Sequence, residues 1–315
     1  MLATSQGRSV VVLGMHRSGT SVMTRVINIL GLSLCREDDL YAGPDNPTGH
    51  WESRSLIAFN NRLIQLAGGT PLAPAEMAGG WEAGEGVAAL YDEAYRVFTR
   101  AHPATPWVWK DPRTCLTLPF WRRVLPERPV AVFMHREPVQ LARSLERRNG
   151  FGKAHGIAQW ERYCRCALLG ARGMPLVTVG FGELMADPGG VVSRVAEDLA
   201  SVGVPVARDT GEAARFVAAK WALHRHLPLA LADDPDATGA QRSLLRAIAG
   251  LSAVTTSFNP PDLGRESAST TELLSVIRSR GISPPGLRTV AGQLWPAVRR
   301  AAGSRLPHRA QPSRA

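Results

Sequence analysis

Along the first two hundred residues, short apolar runs alternate with longer stretches in which apolar side chains return every three or four positions. The runs at 9–13, 107–109, 130–134 and 176–179 show no polar alternation, the pattern of strands buried on both faces. Met23, Val26, Ile27 and Leu30 set a helical stripe over 21–30. Similar periodicity places helices at about 52–66, 87–100, 156–170 and 191–199, with Trp160 and Leu168 on the buried side of the third of these. A further helix starts at Pro138, since proline suits a first helical turn. Strands separated by helices join in parallel, so the chain reads as α/β, with a central parallel sheet flanked by helices in three layers.

Punctuation between these elements completes the plan. Residues 38–49 are rich in Gly, Pro and Asp and read as a loop, and the Gly- and Pro-rich stretch 68–86 reads as a mobile lid. Beyond Val204 the pattern turns helical and less legible. From 284 to 315 arginine, proline and serine dominate, which predicts a loosely held basic tail behind a single domain over 1–283. No internal repeat is visible.

Composition narrows the function classes. A chain of 315 residues with 44% hydrophobic and 20% charged residues can bury a large core. Its net charge of +10 invites a nucleic-acid reading, but the basic residues fall in short clusters such as Arg122-Arg123, Arg147-Arg148 and Arg299-Arg300. No nucleic-acid module accompanies them, so no nucleic-acid partner is expected. Cys35, Cys115, Cys164 and Cys166 show no Cys-x-x-Cys pairing and read as reduced thiols. The first apolar run is short and arginine follows it, so no signal peptide is expected. No stretch approaches the ~20 apolar residues of a membrane span. A cytoplasmic location follows as an expectation. No His/Cys cluster has ligand spacing, so no metal is expected either. The sequence carries no signal of oligomeric state.

Chemistry concentrates where strands end. The first strand opens into Gly14-Met15-His16-Arg17-Ser18-Gly19-Thr20-Ser21, a G-x-x-x-x-G frame followed by the helical stripe. Two glycines let the backbone curl so that successive N–H groups face one concavity, and the helix N-terminus adds its partial positive charge. A nucleoside-triphosphate loop carries Gly-Lys-Ser/Thr; here Thr20 holds the lysine's place and the cation is Arg17. His16, Arg17, Ser18, Gly19, Thr20 and Ser21 therefore form a candidate cradle for an anion other than an ATP γ-phosphate. A second strand ends in His135-Arg136-Glu137-Pro138, with Ser144 eight residues beyond Arg136. A guanidinium forks onto two phosphate oxygens and a hydroxyl donates a third hydrogen bond. Arg17, Lys110 and Arg136 each follow a predicted strand, so one crevice at the carboxyl edge of the sheet can collect all three.

The two loops resemble the 5′-phosphosulfate and 3′-phosphate sites of sulfotransferases that use 3′-phosphoadenosine-5′-phosphosulfate (PAPS). The segment 175–188, with Phe181-Gly182-Glu183-Leu184, is similar to a scaffold element of the same family, and Trp107-Val108-Trp109-Lys110-Asp111-Pro112-Arg113 resembles the Lys-Asp-Pro motif of tyrosylprotein sulfotransferases and bacterial relatives. The resemblance spans about residues 8–200. It implies a P-loop NTPase-like three-layer fold, PAPS as donor and adenosine 3′,5′-bisphosphate as product. It implies that Arg17 and Lys110 stabilise charge on the leaving group and that Arg136 and Ser144 hold the 3′-phosphate. Family members take the acceptor's proton with histidine or glutamate, which makes Glu52, at the start of a helix, the expected base and His50 the alternative. A helix-capping role for Glu52, and a simple ion pair of Lys110 with Asp111, remain as blander readings. Val22 stands where cytosolic relatives place a tryptophan against adenine. The acceptor expected from the resemblance is a hydroxyl of a small molecule or carbohydrate, which the sequence does not name further; Trp81, Trp107, Trp109 and Phe120 suit a sugar or aromatic face, with core packing as the favoured job for most of them. Two other function classes stay open: a small-molecule kinase needing ATP and magnesium, and a non-catalytic nucleotide- or nucleic-acid-binding protein.

Overall fold

A computed structural model of the protein describes residues 7–42, 49–77, 79–150, 152–221 and 230–281. The basic segment 284–315 lies outside them. In chain order the elements are β1 (Val10–Leu13), α1 (Thr20–Ile29), α2 (Arg54–Leu66), α3 (Glu85–Ala88), α4 (Tyr91–Ala101), β2 (Val108–Lys110) and α5 (Thr114–Val124). Then follow β3 (Val130–His135), α6 (Pro138–Asn149), α7 (Lys153–Gly170), β4 (Leu176–Gly180), α8 (Phe181–Ala186) and α9 (Pro188–Ser201). The described chain closes with α10 (Gly211–Trp221), α11 (Gly239–Ala249), β5 (Val254–Thr255) and α12 (Ala268–Ser279).

The sheet runs β2-β1-β3-β4-β5. Its first four strands are parallel, with Val12 opposite both Lys110 and Val132, and Val132 opposite Val177. Alternate side chains of a strand point to opposite faces. Val11 and Leu13 therefore enter one core with α2, α4, α5 and α7, while Val10 and Val12 enter the other with α1 and α9. That is the three-layer α/β arrangement the apolar runs predict.

Several expectations need correction. The sheet is not wholly parallel: β5 pairs antiparallel with β4, and two residues are too short a signal for periodicity. Trp107, Trp109 and Phe120 are each at most 1% exposed and pack in the α5 side of the core, so they offer no face to an acceptor. Residues 68–86 do not form a loose lid. Tyr163 Oη donates to Pro71 O at 2.9 Å, Arg162 Nη1 to Pro74 O at 3.0 Å and Arg278 Nη1 to Pro74 O at 2.8 Å, which strap the first half onto α7 and α12. The second half forms a helical turn at Trp81–Ala83 and then α3. Unsatisfied loop carbonyls near a core are costly, and these side chains satisfy them. Among the described residues no helix is long and apolar enough to cross a membrane.

Candidate functional site

The β1–α1 loop is shaped by backbone conformations that few residues tolerate. Gly14 has φ 149°, and a Cβ there would lie 2.5 Å from Met134 O. Gly19 has φ 92°, and its Cβ would lie 2.5 Å from Phe181 Cδ2. Both positions demand glycine. Arg17 itself is left-handed at φ 69°, an unusual conformation for a residue with a side chain. Gly19 is the N-cap of α1, and no side chain caps that end. The first N–H groups of α1 therefore face the concavity without a side-chain acceptor among the described residues.

A crevice of about 590 Å³ opens there, at the carboxyl ends of β1, β2 and β3. Of the predicted residues, His16, Arg17, Gly19, Thr20 and Ser21 line it from the loop. His50 and Glu52 line it from the segment before α2, Lys110 from the end of β2, and Arg136 from the turn after β3. Ser18 and Ser144 stand behind the wall, both buried. Ser144 is nonetheless tied to the crevice, because Arg17 Nε donates to its hydroxyl at 2.9 Å.

Lys110 and Glu52 form a buried ion pair, at 1% and 8% side-chain exposure. The ammonium also donates to Ser21 Oγ at 3.1 Å, joining the pair to the loop. Lys110 is thus not the partner of Asp111. That carboxylate accepts from Arg113 Nη1 and from Asn60 Nδ2, each at 2.9 Å. Arg113 Nη1 in turn stands 3.8 Å from the second oxygen of Glu52. Nor does Glu52 cap a helix: Ser53 caps α2, its hydroxyl accepting from Leu56 N at 3.1 Å. Glu52 precedes that cap, next to Trp51, whose φ of 57° turns the chain toward the crevice.

Arg136 lies over the Phe181 ring at 4.3 Å and donates from Nη1 to Arg17 O at 3.1 Å. Burial, reinforced by the charges of Arg17 and Arg147, lowers its pKa to about 10. Its Nε is buried with no partner among the described residues. His16 is held neutral, its pKa pushed well below the usual value by burial and then by Arg113, Arg148 and Lys110. An anionic ligand suits this set: an uncapped helix N-terminus, an unsatisfied guanidinium N–H, and cations whose charges oppose each other.

Sequence reasoning missed Arg148 and Phe181, which also line the crevice. Arg148 is one helical turn past Ser144 on α6, a spacing that places both on one face and could have found it. Phe181 was legible as scaffold alone; its contacts with Gly19 and Arg136 are tertiary.

Among solved structures the chain is similar to the sulfotransferase domain of the olefin synthase of Synechococcus PCC 7002, at 18% identity and TM-score 0.37 over 70% of this chain and 89% of that one. It is also similar to the sulfotransferase STF9 of Mycobacterium avium, at 17% identity and TM-score 0.38 over 70% of this chain and 69% of that one. No protein-family model and no curated protein matches the sequence.

Proposed function

We propose that the protein is a sulfotransferase that takes PAPS as donor and a hydroxyl of a small molecule or carbohydrate as acceptor, without a metal. The observation that carries this reading is the convergence of Arg17, Lys110, Glu52 and Arg136 on the uncapped N-terminus of α1 in one crevice. Bound PAPS supplies an activated sulfuryl group for in-line transfer, with adenosine 3′,5′-bisphosphate as the leaving group.

The chain's own residues divide the remaining work. The N–H groups at the start of α1 and the Arg17 guanidinium hold the 5′ end, as backbone donors and helix dipoles do for other tetrahedral anions. Arg136 holds the 3′-phosphate, its unpartnered Nε having a use there, and Ser144 adds a hydroxyl when Arg17 turns from it. Lys110 and Arg17 neutralise the negative charge that grows on the leaving oxygen. Glu52 accepts the acceptor's proton, and Lys110 and Arg113 fix its two oxygens in the crevice wall. His50, which lines the same wall against the Tyr41 ring at 4.9 Å, is the alternative base. Val22 also lines the crevice but is no stacking platform for adenine.

The test is release of adenosine 3′,5′-bisphosphate from PAPS across a panel of hydroxyl acceptors, for the natural protein and for Glu52→Gln. We expect acceptor-dependent release that falls on the order of 10²–10⁴-fold in Glu52→Gln with donor affinity retained. Full activity in that variant moves the base to His50, and no acceptor-dependent release from the natural protein refutes the proposal.

A further inference from the structure

At the opposite edge of the sheet, where the strands begin, a second and larger concavity of about 1020 Å³ opens to solvent. Its walls come from the segments that enter β1, β3 and β4, from the last turns of α5, and from Glu82. Pro119, Pro129 and Pro175 stiffen three sides. Four arginines line it, Arg8, Arg122, Arg123 and Arg128, against two glutamates, Glu82 and Glu127.

Both carboxylates already have partners. Glu127 accepts from the Ser9 hydroxyl, and Glu82 pairs with Arg123 at 3.4 Å. Arg122 is fixed through Nη1, which donates to the carbonyls of Gly170 at 2.8 Å and Arg172 at 2.9 Å past the end of α7. That leaves the rest of its planar fork for another acceptor. The side chains of Arg8 and Arg128 make no hydrogen bond or ion pair with any described residue. Burial, reinforced by the charge of Arg128, lowers the pKa of Arg122.

A concave wall with three arginines outside any carboxylate pair is a receptor for negative charge. We propose that this cleft binds a small polyanion bearing phosphate or sulfate groups, at a site separate from the crevice and occupied independently of it. Arg122 presents a fixed fork, while Arg8 and Arg128 close on the anion from the leading ends of β1 and β3. Phosphate and sulfate share the tetrahedral oxygens and charge that such a fork reads. This inference does not rest on the sulfotransferase reading.

The experiment is calorimetric titration with inorganic pyrophosphate, and in a second arm inorganic sulfate, of the natural protein, Arg17→Ala and the double variant Arg8→Gln/Arg128→Gln. The side chains of Arg8 and Arg128 are exposed and make no hydrogen bond or ion pair with a described residue, so the neutral pair should fold as the natural chain does. The proposal expects a pyrophosphate site that survives Arg17→Ala and weakens at least tenfold in Arg8→Gln/Arg128→Gln. The sulfate arm tells whether charge alone suffices or a phosphate-type anion is preferred. A pyrophosphate isotherm that the double variant leaves unchanged, or one abolished by Arg17→Ala, overturns it.

Discussion

Burial and the charges of Arg17 and Arg147 press Arg136 toward a pKa of about 10, and its Nε faces no described partner. An anion beside it relieves both strains. Replacing it removes a charge-assisted contact worth about 1.5–3 kcal/mol, so Arg136→Ala should weaken adenosine 3′,5′-bisphosphate roughly 10- to 100-fold. Equilibrium titration of the variant checks this, and unchanged affinity would remove Arg136 from the binding site. The Lys110–Glu52 pair makes a different prediction, about stability. Lys110→Met leaves a buried carboxylate with Arg113 at 3.8 Å as a remaining cationic neighbour, and should cost about 3–5 kcal/mol in denaturant unfolding. The double variant Lys110→Met/Glu52→Gln should recover much of that loss, because the uncompensated charge is gone. At this scale the sequence disclosed the residues that follow strands, Arg17, Lys110 and Arg136, because strand ends fix where a side chain emerges. It did not disclose pairings. Whether Lys110 meets Asp111 or Glu52 depends on the turn at Trp51 and on Arg113 claiming Asp111, and neither has a local signature.

The β1–α1 element shows how strictly the loop is built. Gly19 lies in the left-handed region at φ 92° with Phe181 against the space a Cβ would need. Gly19→Ala therefore combines backbone strain with a clash, and should remove anion binding while leaving the helices formed. Circular dichroism beside a bisphosphate titration separates the two outcomes; retained affinity would show that the loop does not need its observed shape. Strands β1, β3 and β4 and helices α1, α6 and α9 were readable because each carries a continuous apolar run, a helical stripe or a capping proline. The loop at 68–86 was misread because its Gly and Pro content signals irregular backbone and says nothing about anchoring. Its anchors, Arg162, Tyr163 and Arg278, lie far along the chain. α7 was legible in part: Trp160 and Leu168 are buried as periodicity predicts, but so is nearly every other residue, since α5, α6 and α12 all pack against it.

Across the whole molecule, stability should fall on acidification through histidines that the fold keeps neutral. Burial lowers His102 to about 3 and His155 to about 4, and lowers His16 well below its usual value. In the unfolded chain each titrates near 6.5. Below that pH the unfolded state takes up protons that the folded state refuses, so stability present above about pH 6.5 is lost as the pH falls toward 4 and 3. Urea midpoints at pH 7.5 and 5 measure the slope. His102 is a clean probe, because its ring stacks on Phe98 at 5.0 Å and neither nitrogen has a partner among the described residues. His102→Phe should flatten the slope and raise stability by about 1 kcal/mol at neutral pH; a steeper slope would contradict the assignment. The central claim concerns the crevice as a whole, that its cations and the uncapped helix end are arranged for a ribose bisphosphate and not for a nucleoside triphosphate with magnesium. Calorimetric titration with adenosine 3′,5′-bisphosphate in EDTA, beside ATP with magnesium, tests it most directly. Tight binding of the bisphosphate with ATP far weaker is the predicted result, and ATP with magnesium binding more tightly would contradict it.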